Sequence, residues 1–319
     1  MKALKTAWRA ALILSRAALI LALAPLVLAA PALLRAAPAL AQSLQLGPYK
    51  DNLFKYPGIL ETRDDGDFIV VDYDKMRDIH QRDEVPERKV KWNYVSTGVN
   101  WSQGHYDYTG GNGRKLRYVG VGAVNKRASM IVVFLHGQNG TRFLGADDWS
   151  FGGNFNRIKN LVVNAGGVYL SPDFTDFEDK GAADVKALMM SYAQKSPGAP
   201  VFLACGSFGG NVCWKLMEDP QINAMLSGML LMGSLDDPAF FGNPAMKPGG
   251  RRIPLYFGHG SDDNVFDWKA QASFYDTIRK QAPGYPTKFV LFNTGSHGTP
   301  IRMTDWRGVI NWMLRVDGR

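Results

Sequence analysis

From Met130 onwards the chain alternates short, β-branched apolar runs with segments of helical period. The runs are Met130–Leu135, Gly167–Leu170, Pro200–Ala204, Gly228–Met232, Ile253–Phe257 and Lys288–Phe292. The amphipathic segments between or after them are Asn154–Asn164, Ala182–Gln194, Asn211–Glu218, Trp268–Gln281 and Thr304–Leu314. Strand and helix in alternation predict a mostly parallel central sheet with helices on both faces. Upstream the pattern differs. Gln42 to about Lys89 is polar and turn-rich, with one strand candidate at Asp67–Tyr73, and strands are predicted at Lys89–Ser96 and Lys115–Val124. Gly110-Gly111-Asn112-Gly113 marks a turn between the last two. No helix intervenes among these early strands, which predicts an antiparallel N-terminal edge on an α/β sheet. The expected organisation is a leader over 1–41, an extension with edge strands over 42–110, and an α/β domain over 111–319.

Charge changes the picture at one end. The chain has 319 residues and a formal net charge of +8, which invites a nucleic-acid reading. Yet Lys2, Lys5, Arg9, Arg16 and Arg35 fall in the first forty-one residues, where there is no acid. Removing those five from the 37 basic residues leaves 32 against 29 acids, near +3. The basic start, the apolar run Ala17–Leu34 and the small-x-small Ala39-Leu40-Ala41 have the layout of a secretory signal. Pro25 and Pro31 interrupt the run, so cleavage is favoured over an uncleaved anchor, and the rest of the chain is expected to be periplasmic or secreted. No second run is long enough to span a bilayer. A nucleic-acid partner loses its main support, and no membrane span is expected after cleavage.

In open α/β sheets the working residues lie beyond the carboxyl ends of the strands. Pro200–Ala204 leads into Cys205-Gly206-Ser207-Phe208-Gly209-Gly210 and then a helix, placing a serine at the apex of a strand–turn–helix elbow. A serine hydroxyl needs an adjacent base. The chain has five histidines. His80 and His105 precede the alternation, while His136-Gly137 and His259-Gly260 read as structural strand-end residues. His297, beyond the last strand, is the expected base. The acid should follow a strand between serine and histidine. Asp263 in His259-Gly260-Ser261-Asp262-Asp263 is favoured, with Asp262 its closest rival and Asp236 the runner-up. An oxyanion requires aimed backbone N–H groups, expected from Phe208 and from Gln138 in the loop Leu135-His136-Gly137-Gln138.

Together His136-Gly137-Gln138, Cys205-Gly-Ser207-Phe-Gly209, His259-Gly-Ser-Asp-Asp263-Asn-Val265 and His297 resemble the α/β-hydrolase family over about Lys115 to the C-terminus. The nearest resemblance is to secreted esterases of the polyester-depolymerase-like or feruloyl-esterase-like kind. It implies an α/β-hydrolase fold, no metal and no cofactor, and a small-molecule or polymeric ester as substrate. Cys205 departs from the usual elbow glycine. Two free buried thiols are the expectation for Cys205 and Cys213, although oxidation of the pair is open to an exported chain. Trp149 and Phe151 in one loop, and Phe240 and Phe241 in another, are candidate substrate walls. The aromatics Trp92, Tyr94, Trp101, Tyr106 and Tyr108 are expected on the half-buried side of edge strands. The leading reading is an exported serine hydrolase of carboxylic esters. A serine peptidase or thioesterase, and a non-catalytic binding protein on the same scaffold, remain alternatives.

Overall fold

In the computed structural model, which describes residues 44–111 and 113–318, Ile131, Val133 and Leu135 enter one apolar core, while Val132 and Phe134 enter another on the opposite face of the sheet. Val201, Leu203 and Cys205 alternate with Phe202 and Ala204 in the same way. A strand covered on both faces must be apolar at every position, which is why these runs stand out in the sequence. The leader predicted over 1–41 and Asn112 of the predicted turn lie outside the described residues.

The strands are β1 (Ile59–Arg63), β2 (Phe68–Val71), β3 (Asp83–Val85), β4 (Lys89–Val90), β5 (Gln103–Thr109), β6 (Lys115–Gly122), β7 (Ile131–Leu135), β8 (Val168–Pro172), β9 (Val201–Gly206), β10 (Leu226–Met232), β11 (Leu255–Gly260) and β12 (Thr287–Phe292). The helices are α1 (Asp51–Phe54), α2 (Asn154–Asn164), α3 (Asp179–Lys195), α4 (Gly209–Glu218), α5 (Pro220–Met225), α6 (Trp268–Gln281), α7 (Thr299–Met303) and α8 (Trp306–Val316). Ten strands form one sheet in the order β1-β2-β12-β11-β10-β9-β7-β8-β6-β5, and β3 and β4 pair separately. Strands β8, β7, β9, β10, β11, β12 and β2 run parallel. Residues from α3, α4 and α6 fill one core, and residues from α2 and α8 fill the other.

The antiparallel strands are divided between the two edges rather than gathered on one. β5 and β6 pair antiparallel beyond β8, whereas β1 pairs antiparallel with β2 beyond β12. The strand predicted over Lys89–Ser96 shortens to Lys89–Val90 and gives way to a turn at Trp92–Tyr94. Its backbone is satisfied otherwise: the Val90 N–H donates to the Trp149 carbonyl, and Lys50 Nζ donates to the carbonyls of Asn93 and Val95. Tyr106 and Tyr108 do lie half-buried on β5, but Trp92 and Trp101 are solvent-exposed and off any strand.

The segment before β5 is bound across α2, α7 and α8. Leu46 exchanges two hydrogen bonds with Asn311, and Asp51 bridges Arg157 and Arg307. Asp83 meets the buried Arg302 of α7 with both carboxylate oxygens, at 3.0 and 2.6 Å. That pair joins the extension to the helix directly following His297. Among the described residues, no helix is long and apolar enough to cross a membrane.

Candidate active site

β9 ends at Gly206 and α4 begins at Gly209, so Ser207 occupies the turn between them. Its φ of 53° lies in the left-handed region, a conformation that persists in a non-glycine residue only where the surroundings over-determine it. Here the Ser207 N–H donates to the Met232 carbonyl at 3.2 Å, and its own carbonyl accepts from Ser234 Oγ at 2.6 Å and from the Gly210 N–H at 3.1 Å. Gly210 permits this approach, because a Cβ there would stand 2.0 Å from Ser234 Oγ. Cys205 and Cys213 form a disulfide, with Cα atoms 6.5 Å apart. This corrects the expectation of two free thiols: the end of β9 and the second turn of α4 lie side by side, and the sulfurs meet between them. The position that usually holds a glycine here carries a cross-link between strand and helix.

His297 Nε2 lies 2.9 Å from Ser207 Oγ, and its Nδ1 lies 2.8 Å from Asp263 Oδ2. Of the three candidate acids, Asp263 is the one in reach of the imidazole. Asp262 is exposed and accepts from Ser261 Oγ. Asp236 sits after β10, with no bond to His297 among the described residues. Burial opposes ionisation of Asp263, but hydrogen bonds from His259, from His297 and from the N–H groups of Val265 and Phe266 outweigh it. The carboxyl pKa is therefore held well below the ordinary carboxylate range. With Nδ1 facing a carboxylate, the neutral ring carries its proton there and offers the Nε2 lone pair to the serine.

Gly137 touches Ser207. A Cβ at this position would fall 2.6 Å from Ser207 Cβ and 3.1 Å from Ser207 Oγ, so the loop after β7 passes directly over the serine. Neither the Gln138 N–H nor the Phe208 N–H donates to an acceptor among the described residues. His136 is buried, with Nδ1 2.9 Å from the Gly137 carbonyl, and burial pulls its pKa down. It stacks on Phe174 at 4.5 Å.

The aromatic surroundings differ from those expected. Phe151 lies against Gly298, next to His297. Trp149 turns away onto Trp92, ring centres 4.4 Å apart, and Lys89. Phe240 is 1% exposed, packed among Trp214, Phe274 and Tyr285, and Phe241 rests on Phe274 at 4.9 Å. The loop holding both folds onto α6 and supplies core rather than a substrate wall. The rings near the serine are instead Phe208, Phe177 and Phe266: Phe208 is 6.1 Å from Phe177 and 5.2 Å from Phe266, and Phe266 is 5.5 Å from His297. Phe174 and Phe177 follow the carboxyl end of β8, so the strand-end rule that located Ser207 would have found them too. A cavity of about 190 Å³ is lined by the residues on either side of His297 in sequence, but not by His297 or Ser207. Its walls include Ser296, Gly298 and Phe151, together with Tyr73, Ile79 and Glu87 from the extension.

No protein-family profile and no curated protein sequence matches the chain. Solved structures do. An esterase of Pyrococcus furiosus superimposes with a TM-score of 0.51 at 15% identity, covering 73% of this chain and 97% of that one. An α/β hydrolase of unknown function from Agrobacterium tumefaciens gives 0.51 at 16% identity, covering 68% and 98%. A thermostable esterase gives 0.53 at 13% identity, covering 68% and 64%. At these identities the likeness carries the architecture: the chain has the α/β-hydrolase fold, and what it does rests on its own residues.

Proposed function

We propose that the chain is an exported serine hydrolase of carboxylic esters, working through an acyl-enzyme. The observation that carries this reading is the unbroken hydrogen-bonded chain Ser207–His297–Asp263 at the carboxyl ends of parallel strands. Ser207 Oγ attacks the ester carbonyl as its proton passes to His297 Nε2. Asp263 holds the imidazole and stabilises the imidazolium. The N–H groups of Gln138 and Phe208, with no acceptor of their own, receive the negative oxygen of the tetrahedral intermediate. His297 then returns the proton to the departing alcohol, and water cleaves the acyl-enzyme by the same steps in reverse order.

The rings of Phe208, Phe177 and Phe266 beside the serine favour an aryl or other flat apolar ester. The half-open setting of Ser207 suits small esters and exposed polymer ends alike. Hydrolysis of p-nitrophenyl esters, feruloyl esters, a polyester film and peptide amides tests this directly. Ester turnover should exceed amide turnover by orders of magnitude and vanish in Ser207→Ala. Equal turnover of amides would move the chain to the peptidases. Undiminished ester turnover by Ser207→Ala would remove the reading altogether.

A further inference from the structure

His259, at the end of β11, is completely buried, and every atom that faces its ring nitrogens is an acceptor. Nδ1 lies 2.8 Å from Gln271 Oε1. Nε2 lies 3.0 Å from the Phe266 carbonyl and 3.3 Å from Asp263 Oδ2. The Gln271 amide cannot be turned to present a donor instead, because its Nε2 already donates to the Ser234 carbonyl at 2.9 Å, which would otherwise face another carbonyl-type oxygen. A neutral imidazole has one N–H and one lone pair. Either neutral tautomer of His259 would therefore aim a buried lone pair at an oxygen, a repulsion that a protein interior amplifies. The doubly protonated ring satisfies all three acceptors.

We propose that His259 is a buried imidazolium that shares the Asp263 carboxylate with His297 and thereby sets the basicity of His297; this rests on the proposed reaction. The group is a positioning residue, since it touches neither substrate nor serine. Its charge is supported by electrostatics: burial alone would pull its pKa down, but the hydrogen bonds to Asp263, Gln271 and the Phe266 carbonyl prevail and raise it. Among the described residues, Asp263 is the charged group in contact with the ring. α6 presents the neutral Gln271 amide, and the loop after β12 presents His297 across the shared carboxylate.

The connections close into a ring. Ser207 Oγ meets His297, His297 meets Asp263, Asp263 meets His259, His259 meets Gln271, and Gln271 donates to the Ser234 carbonyl. Ser234 Oγ in turn donates to the Ser207 carbonyl. The same circuit that shares the aspartate thus ties down the strained elbow. A cation on the far side of Asp263 weakens the carboxylate's pull on the proton that His297 takes from Ser207, so the charge on His259 acts on the base through the shared carboxylate.

The test is the pH dependence of kcat/KM for a p-nitrophenyl ester, in the wild type and in His259→Phe, with active serines counted by fluorophosphonate titration. The acid limb of His259→Phe should move up by about one pH unit, with KM on the alkaline plateau unchanged. A purely structural residue would lower the serine titre and leave the limb in place. A fixed limb at full titre overturns the proposal, whereas a wild type that is not phosphonylated overturns the reaction it rests on. Should His259→Phe not fold, Gln271→Leu removes the Nδ1 acceptor and should move the limb the same way. Histidine ¹⁵N spectra of the wild type give a second reading on only five rings. One should hold two protons at pH 7.5, and neutral tautomers throughout would overturn the proposal.

Discussion

Replacing Cys205 and Cys213 by alanine, singly and together, probes the cross-link beside Ser207. The bonded residues are eight apart in sequence. Closing a loop of that length removes chain entropy from the unfolded state equivalent to about 2.5 kcal/mol at 25 °C. For a chain of this size that corresponds to a fall in Tm of roughly 4 °C. Both residues are fully buried, so reductant reaches the sulfurs poorly in the folded protein and the variants are the cleaner perturbation. Each single substitution loses the whole cross-link and one sulfur's packing, while the second substitution loses only the other sulfur's packing. The double variant should therefore be more stable than the sum of the singles implies, by about the 2.5 kcal/mol of the cross-link. Urea unfolding of the four proteins measures this, and thiol titration of the denatured, unreduced wild type should find no free thiol. Two titratable thiols, or strictly additive losses, would mean that no such cross-link holds β9 to α4.

Other expectations follow from the same geometry. Gly137→Ala sets a methyl group 2.6 Å from Ser207 Cβ and must displace the loop carrying the Gln138 N–H; kcat should fall about 10²–10³-fold with little change in Tm, and an unaltered kcat would take Gln138 out of the oxyanion site. Asp83→Ala leaves the buried Arg302 guanidinium without its carboxylate, which should destabilise the fold by about 3–5 kcal/mol in urea unfolding; a loss below 1 kcal/mol would show that the pair is not what ties the extension to α7. The pH dependence of stability has a definite sign. Asp263, with its pKa lowered, contributes above the ordinary carboxylate pKa near 3.9 and loses that contribution as the pH falls through its folded value. His259, with its pKa raised, contributes fully below about 6.5 and loses its contribution as the pH rises through its folded value. Tm should fall on both sides of that window, and His259→Phe should flatten the alkaline side; an identical alkaline decline in the variant would contradict the assignment.

What the amino-acid sequence revealed depended on how completely each segment is buried. The runs that became β7 to β12 are apolar on both faces, so no choice of register could hide them. α2 and α6 occur with the predicted boundaries because an amphipathic pattern fills each from end to end. β1 escaped notice because it is an edge strand exposed at nearly every position, whereas β5 was legible only through Tyr106 and Tyr108, the half-buried residues that alternate with polar ones. Their opposite placement reflects β2, with β1 on its outer side, joining β12 from the far end of the chain, a pairing no local pattern encodes. Ser207, His297 and Asp263 were legible because each lies just beyond a strand in a short motif. The arrangement around His259 was not, since its partners at 263, 266 and 271 come from a loop and from α6 and declare themselves only as acceptors once folded. Phe240 misled for a related reason: a loop position suggests exposure, yet this loop is tucked against Trp214 and Phe274.

The proposed reaction requires Ser207 to be a nucleophile activated by His297. Intact-mass and peptide mapping after exposure to a fluorophosphonate test it most directly. One adduct per chain is expected, on Ser207, absent from Ser207→Ala and strongly slowed in His297→Ala. An unlabelled wild type, or an adduct that survives in Ser207→Ala, would contradict it.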